Sequence, residues 1–243
     1  MAPLVGTILA LYTGAMSNQS DIHRIQADFD RLASFSDDGW DHNSHYHHFL
    51  LKHLPPHGRK ALEIGCGTGA FSRLLARRFE HVLALDLSPQ MIHLARGRSQ
   101  QYKNIDFQVA DALSWEFPAG QFDCIASIAT LHHLPMEEML SKMKTALSMN
   151  GTLLVLDLFQ AEGLFERFTS ATAFPIDIVL KYLKTGRLRE PPEVRKAWAE
   201  HGKWDAYLTL SQIRSICTEI LPGARVKKHL LWRYSLIWQK DEL

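Results

Sequence analysis

Apolar residues along this chain change their period after Pro56. Before it, Ile22, Ile25, Phe29 and Leu32 recur at helical spacing behind the start signals Ser20 and Asp21. Tyr46, Phe49, Leu50 and Leu54 predict a second short helix, stopped by Pro55-Pro56. Beyond it come brief apolar runs bounded by turn residues: "KALEI" (60–64), "HVLALDLS" (81–88), "IDFQVAD" (105–111), "FDCIASI" (122–128) and "GTLLVLDLF" (151–159). Their length and composition predict strands. Phe71, Leu74, Leu75 and Phe79 mark an intervening helix, and Ser88-Pro89 supplies the N-cap and first position of another through Ala95. Pro135 opens a third, with Met136, Met139, Met143 and Leu147 on one side. Strands alternating with helices imply βαβ units and an α/β fold with a parallel sheet.

The remaining chain breaks that rhythm. Residues 160–209 are aromatic-rich and irregular, and are expected to form helices over the C-terminal edge of the sheet. Ser211 is expected to cap a helix through Ile220, ended by Pro222-Gly223. "ARVKKHLLW" and "RYSLIWQK" then follow as two strands with almost nothing between them, so they should pair antiparallel. No repeat or linker divides the chain. The expected organisation is a flexible extension (1–20) and one domain (21–243), with a helical cap (21–57) and the aromatic insertion (160–209).

Composition narrows the function classes. With 243 residues, 46% hydrophobic and 22% charged, the chain is of ordinary globular make-up. A net charge of +1 gives no global pull toward nucleic acid or a membrane surface. Cys66, Cys124 and Cys217 form no Cys-x-x-Cys pair, which argues for a reducing, cytoplasmic setting. Two terminal features point the other way. The apolar run 3–16 lacks preceding basic residues, and the final "KDEL" reads as an address for the endoplasmic reticulum lumen only if an entry signal accompanies it.

Candidate chemistry begins at "LEIGCGTGAF" (62–71), between the first strand and its helix. Gly65, Gly67 and Gly69 permit a sharp turn and close approach of a ligand to the backbone. In open α/β sheets this is where ligands bind. The spacing Gly65, Gly67, Ala70 also admits a dinucleotide reading, with NAD as the cofactor. Asp86 ends the second strand, where a carboxylate can accept hydrogen bonds from both ribose hydroxyls. Asp111 ends the third, within reach of an adenine amine. Together these describe an adenosine site.

An acid and a hydrophobe before "GCGTG", followed by Asp86 and Asp111 at strand ends, resemble the class I S-adenosylmethionine-dependent methyltransferases, in their small-molecule branch. The likeness covers about residues 40–159, and a reversed last strand belongs to the same Rossmann-like, doubly wound fold. The resemblance implies that Gly65, Gly67 and the loop backbone hold the methionine part of the cofactor. It further implies that Glu63 supports the ammonium, Asp86 binds the ribose, and Asp111 with Ala112 binds the adenine. Backbone groups near Ser127 and Ile128 would close the site.

"DHNSHYHHFLLKHLPPH" (41–57) holds six of the 13 histidines. Metal binding would need ligands converging at about 2 Å, and nucleic-acid stacking is poorly served by mostly neutral rings. In the family it resembles, the segment just before the first strand folds over the cofactor loop. The resemblance therefore implies a lid, with Trp40, His42, His45 and Tyr46 near the transferable methyl and Tyr46 on the cofactor or acceptor. His47, His53 and His57 are expected to be solvated. His132 and His133, following the fourth strand, should face the acceptor, where either could take its proton. No metal is expected. The expected reaction is in-line methyl transfer to a small, partly apolar acceptor. Its rivals are an NAD-dependent oxidoreductase and a non-catalytic module that binds S-adenosylmethionine.

Overall fold

The computed structural model describes residues 19–36, 39–162, 173–186 and 189–241. The apolar run 3–16, Phe165, Phe168 and the end of the KDEL tract lie outside them. Strands β1 (Gly58–Ile64), β2 (Phe79–Asp86), β3 (Ile105–Val109), β4 (Phe122–Ile128), β5 (Leu147–Leu158), β6 (Arg225–Lys228) and β7 (Arg233–Gln239) form one sheet in the order β3-β2-β1-β4-β5-β7-β6. The first five pair in parallel, whereas β7 runs antiparallel to both β5 and β6. The fold is the Rossmann-like one expected, with the reversed strand inserted beside β5.

Two apolar layers hold the sheet. Successive side chains of a strand point to opposite faces, and here both faces are covered, which is why the central strands are apolar at nearly every position. Leu62, Ile64, Leu153 and Val155 join Met139 and Met143 of α5 (Met136–Ala146) and Ile213 of α8 (Leu210–Ile220) on one side. Ala61, Leu154 and Leu156 join Leu50 of α2 (Ser44–Leu51) and Phe71 and Leu75 of α3 (Ala70–Leu75) on the other.

Two expectations about boundaries are corrected. β5 begins at Leu147 instead of Gly151, because Leu147 already pairs with Phe122 ahead of a register shift. The cap of α8 is Thr209, not Ser211: its hydroxyl accepts from Gln212 N, and the Gln212 side chain accepts from Thr209 N. That reciprocal pair satisfies two amides that the helix leaves open.

The C-terminal edge is covered by α1 (Gln19–Ala33), α6 (Ala173–Thr185) and α7 (Pro192–His201). Leu32 and Ala33 of α1 pack with Ala197 of α7 and with Met91 of α4 (Pro89–Arg98). Arg31 pairs with Glu200 across the same seam, and Ser88 Oγ, at the N-cap of α4, donates to Asp30 of α1. Insertion and cap therefore close on one another above the sheet. Among the described residues, no helix is long and apolar enough to cross a membrane.

Candidate active site

β1 ends at Ile64, and the chain turns at once. Gly65 N and Cys66 N both donate to Leu85 O, at 2.8 and 2.9 Å, and Gly69 N donates back to Cys66 O at 2.9 Å. Gly65, at φ +71°, has no room for a side chain, since a Cβ there would lie 2.0 Å from Thr130 Oγ1. Gly67, at φ +51°, has nothing within 4 Å of its would-be Cβ. The first glycine seats the loop against the segment after β4. The second leaves space above it.

That space belongs to a cleft of about 650 Å³ along the C-terminal strand ends. Gly65, Gly67, Asp86, Asp111, Ala112, His132 and His133, all singled out from sequence, line it. Asp86 Oδ2 accepts from Gly67 N at 2.7 Å, and Oδ1 accepts from Ser88 N at 2.9 Å. Burial pushes this carboxyl up to about 6, against the lowering effect of those two amides. Asp111 Oδ1 accepts from Leu113 N at 2.9 Å, which fixes its carboxylate at the end of β3.

Three expected site residues stand away from the wall. Glu63 lies 2% exposed beneath the loop and accepts from Ser72 Oγ of α3; burial raises its carboxyl to about 8. Its position in a parallel strand covered on both faces sends it inward. Ser127 is fully buried in β4 between Ile64 and Val155, its hydroxyl without a partner, and the wall is made instead by Ile128, Ala129 and Thr130. Tyr46 sits on the core side of α2, where its hydroxyl donates to Leu230 O at 2.7 Å.

The histidine-rich segment divides similarly. Trp40 and His42 line the cleft, and His42 Nε2 meets Asp177 of α6, so this stretch bridges to the insertion as a cover would. His45 and Tyr46 do not line it. His57 is exposed, but His47 packs on Phe71 at 5.0 Å and burial holds it down at about 4. His53 packs on Phe49 at 5.0 Å. His47 is thus packed, His53 is half-buried against a ring, and only His57 is exposed outright.

Just beyond β4, on the same cleft, His132 and His133 part company. Asp157, 1% exposed at the end of β5, accepts from His132 Nδ1 at 2.6 Å and from His132 N at 2.9 Å. Nδ1 is thereby occupied, which directs any proton exchange with a ligand to Nε2. His133 lies deeper, edge-on to Phe29, with Nε2 unpartnered. Burial and the neighbouring His132 and His201 push it down to about 2, so it stays neutral. Its Nδ1 is 3.6 Å from Asp205 Oδ1, and Asp205 Oδ2 accepts from Tyr207 Oη at 2.7 Å. His132, His133 and Asp205 can each offer a ligand atom within 4.8 Å of the others.

Sequence reasoning missed Asp157, Asp205 and Arg233, all on the cleft or directly behind it. Asp157 carried a signal, since "VLDL" ends its strand with an acid much as "LALD" does. Arg233 and Asp205 carried none. They reach the site through the folding of distant segments.

Residues 61–151 match the family described as a methyltransferase domain. Uncharacterized methyltransferases of Mycobacterium bovis and Mycobacterium tuberculosis are 29% identical to the chain over 207 residues, 84% of this chain and 98% of theirs. A malonyl-[acyl-carrier protein] O-methyltransferase of a Paenibacillus species is 45% identical over 101 residues, 39% of this chain and 37% of that protein. An N-methyltransferase of Bradyrhizobium japonicum, solved with S-adenosyl-L-homocysteine, aligns with a TM-score of 0.60 at 19% identity, over 90% of this chain and 99% of that one. The structural likeness is one of fold.

Proposed function

We propose that this class I S-adenosylmethionine-dependent methyltransferase uses the Gly65–Gly67 end of its cleft for the cofactor and the His132 end for a small-molecule acceptor. One observation carries the reading: the glycine loop, both strand-end carboxylates and His132, backed by the buried Asp157, face a single continuous cleft. The residues suit the cofactor. Gly67 leaves open space above the loop, Asp86 can accept from ribose hydroxyls, and Asp111 with Ala112 flanks the place an adenine would take. Glu63 acts by supporting the loop from below through Ser72.

The cofactor supplies a methyl group already activated on a sulfonium. What the chain must add is position and, for an acceptor with an ionisable nucleophile, a base. His132 Nε2 takes the acceptor's proton, while Asp157 fixes the ring's orientation and tautomer and stabilises the imidazolium that results. Trp40, His42 and α7 cover the cleft and keep water from the reacting groups. The volume suits a compact acceptor and not a polymer. An oriented base beside the cofactor end favours an enzyme over a module that only binds.

Thermal shift tests the cofactor assignment, because a ligand that binds only the folded state raises the melting temperature. S-adenosylhomocysteine should stabilise the protein, NADH should not, and Asp86→Ala should abolish the effect. Stabilisation by NADH alone would transfer the cleft to an oxidoreductase.

A further inference from the structure

Arg233 opens β7, only 7% exposed, with its guanidinium on the wall of the acceptor end of the cleft. Nε donates to Asn43 Oδ1 at 2.8 Å, and Nη1 donates to Leu231 O at 3.2 Å. Among the described residues it forms no ion pair. The carboxylates whose charge it feels are committed elsewhere: Asp157 accepts from His132 and from Leu158 N, and Asp41 accepts from Ser44 N. Desolvation of so buried a cation is expensive unless an opposite charge and hydrogen bonds offset it. Nη2 and the second Nη1 hydrogen are left for that charge, at the outer edge of a planar fork that matches a carboxylate or phosphate.

We propose that Arg233 is the specificity determinant of the acceptor site, and that the acceptor carries an anionic group, carboxylate or phosphate, bound at its outer Nη edge. The inference rests on the methyltransferase reading. A cofactor carboxylate is the other possible source of the anion, but position favours the acceptor. β7 lies three strands from β1 in the sheet, on the order of 14 Å at ordinary strand spacing. It is on the side of β5 and Asp157, away from the adenosine acids on β2 and β3. Trp40 and Trp232 line the same region, so the rest of the molecule can be flat and apolar.

Titration calorimetry on the full chain saturated with S-adenosylhomocysteine tests this with benzoate and phenyl phosphate against their neutral counterparts, benzamide and benzyl alcohol. The anions should bind at least tenfold more tightly. Arg233→Gln should erase that preference and Arg233→Lys should retain part of it; the wild-type comparison stands even if a variant fails to fold. Equal binding of the neutral compounds, no binding of either anion, or a preference that survives Arg233→Gln overturns the proposal. So does a variant that loses S-adenosylhomocysteine yet keeps 5′-methylthioadenosine, which lacks the amino-acid end; the guanidinium would then serve the cofactor. Failure of the wild type to bind S-adenosylhomocysteine would refute the methyltransferase reading separately, since the anion preference can still be measured without it.

Discussion

Gly65 and Gly67 stand two positions apart and are constrained for different reasons. An alanine at Gly65 would drive its Cβ into Thr130, within 2.0 Å of Oγ1 and 2.7 Å of the Cβ, so either the loop or the turn after β4 must move. At Gly67 the obstacle is only the left-handed backbone, costing about 1 kcal/mol for a non-glycine residue. Gly65→Ala should therefore lower the melting temperature sharply. Gly67→Ala should fold nearly normally but bind S-adenosylhomocysteine more weakly, because its methyl enters the cleft; calorimetry on both variants would separate the two roles. At the other end, Asp157→Asn keeps the shape of the side chain but no longer fixes the His132 tautomer. Once an acceptor is known, kcat should fall about a hundredfold or more, the scale of general-base catalysis. KM and S-adenosylhomocysteine affinity should change little. Equal loss of cofactor binding would make Asp157 a merely structural residue.

Elements were legible where their cause is local. The parallel strands, the reversed strand and the Ser88-Pro89 helix start all follow from periods and caps within a few residues of one another, and the glycine loop with its two acids inherits that legibility. Boundaries were harder to read, because pairing recruits flanking residues such as Gly58 opposite Phe79, and Leu147, whose spacing also fits the preceding helix, opposite Phe122. The Thr209 cap was written in "TLSQ" as the four-residue box, although Ser211 competes for it in sequence. Thr209→Ala should cost about 1 kcal/mol in a denaturation midpoint, whereas Ser211→Ala should cost a few tenths at most by comparison. The acceptor end resisted reading for a physical reason. Arg233 meets Asn43 across 190 positions and His42 meets Asp177 across 135, contacts that exist only once the sheet has assembled.

Burial of ionisable groups makes the whole molecule sensitive to pH in two opposed directions. Glu63 is raised from 4.5 to about 8 and Asp86 from 3.8 to about 6, so the folded chain holds protons that the unfolded chain has released. Their contribution is complete at acid pH and is lost as pH rises, between about 4 and 6 for Asp86 and between about 4.5 and 8 for Glu63. His47 and His229 are lowered to about 4 and His133 to about 2, so the unfolded chain binds their protons first. Their contribution is present above 6.5 and is lost as pH falls below it. Three histidines outweigh two carboxyls on the acid side, while above neutrality only Glu63 still titrates. Stability should therefore peak near neutral pH and decline on both sides, toward pH 5 as the histidines titrate and toward pH 8 as Glu63 does. Glu63→Gln keeps a side chain that can accept from Ser72 but cannot ionise, so its melting temperature should hold level from pH 6.5 to 8.5 while the wild type declines. Because the same Asp86 carboxylate must be charged to accept from a ribose, S-adenosylhomocysteine affinity should also weaken as pH drops through about 6. Parallel melting curves for wild type and Glu63→Gln across that range would mean that Glu63 is ionised in the fold. It would then need a buried cation, and the loop's support from below would have to be a charge pair in place of the Ser72 hydrogen bond.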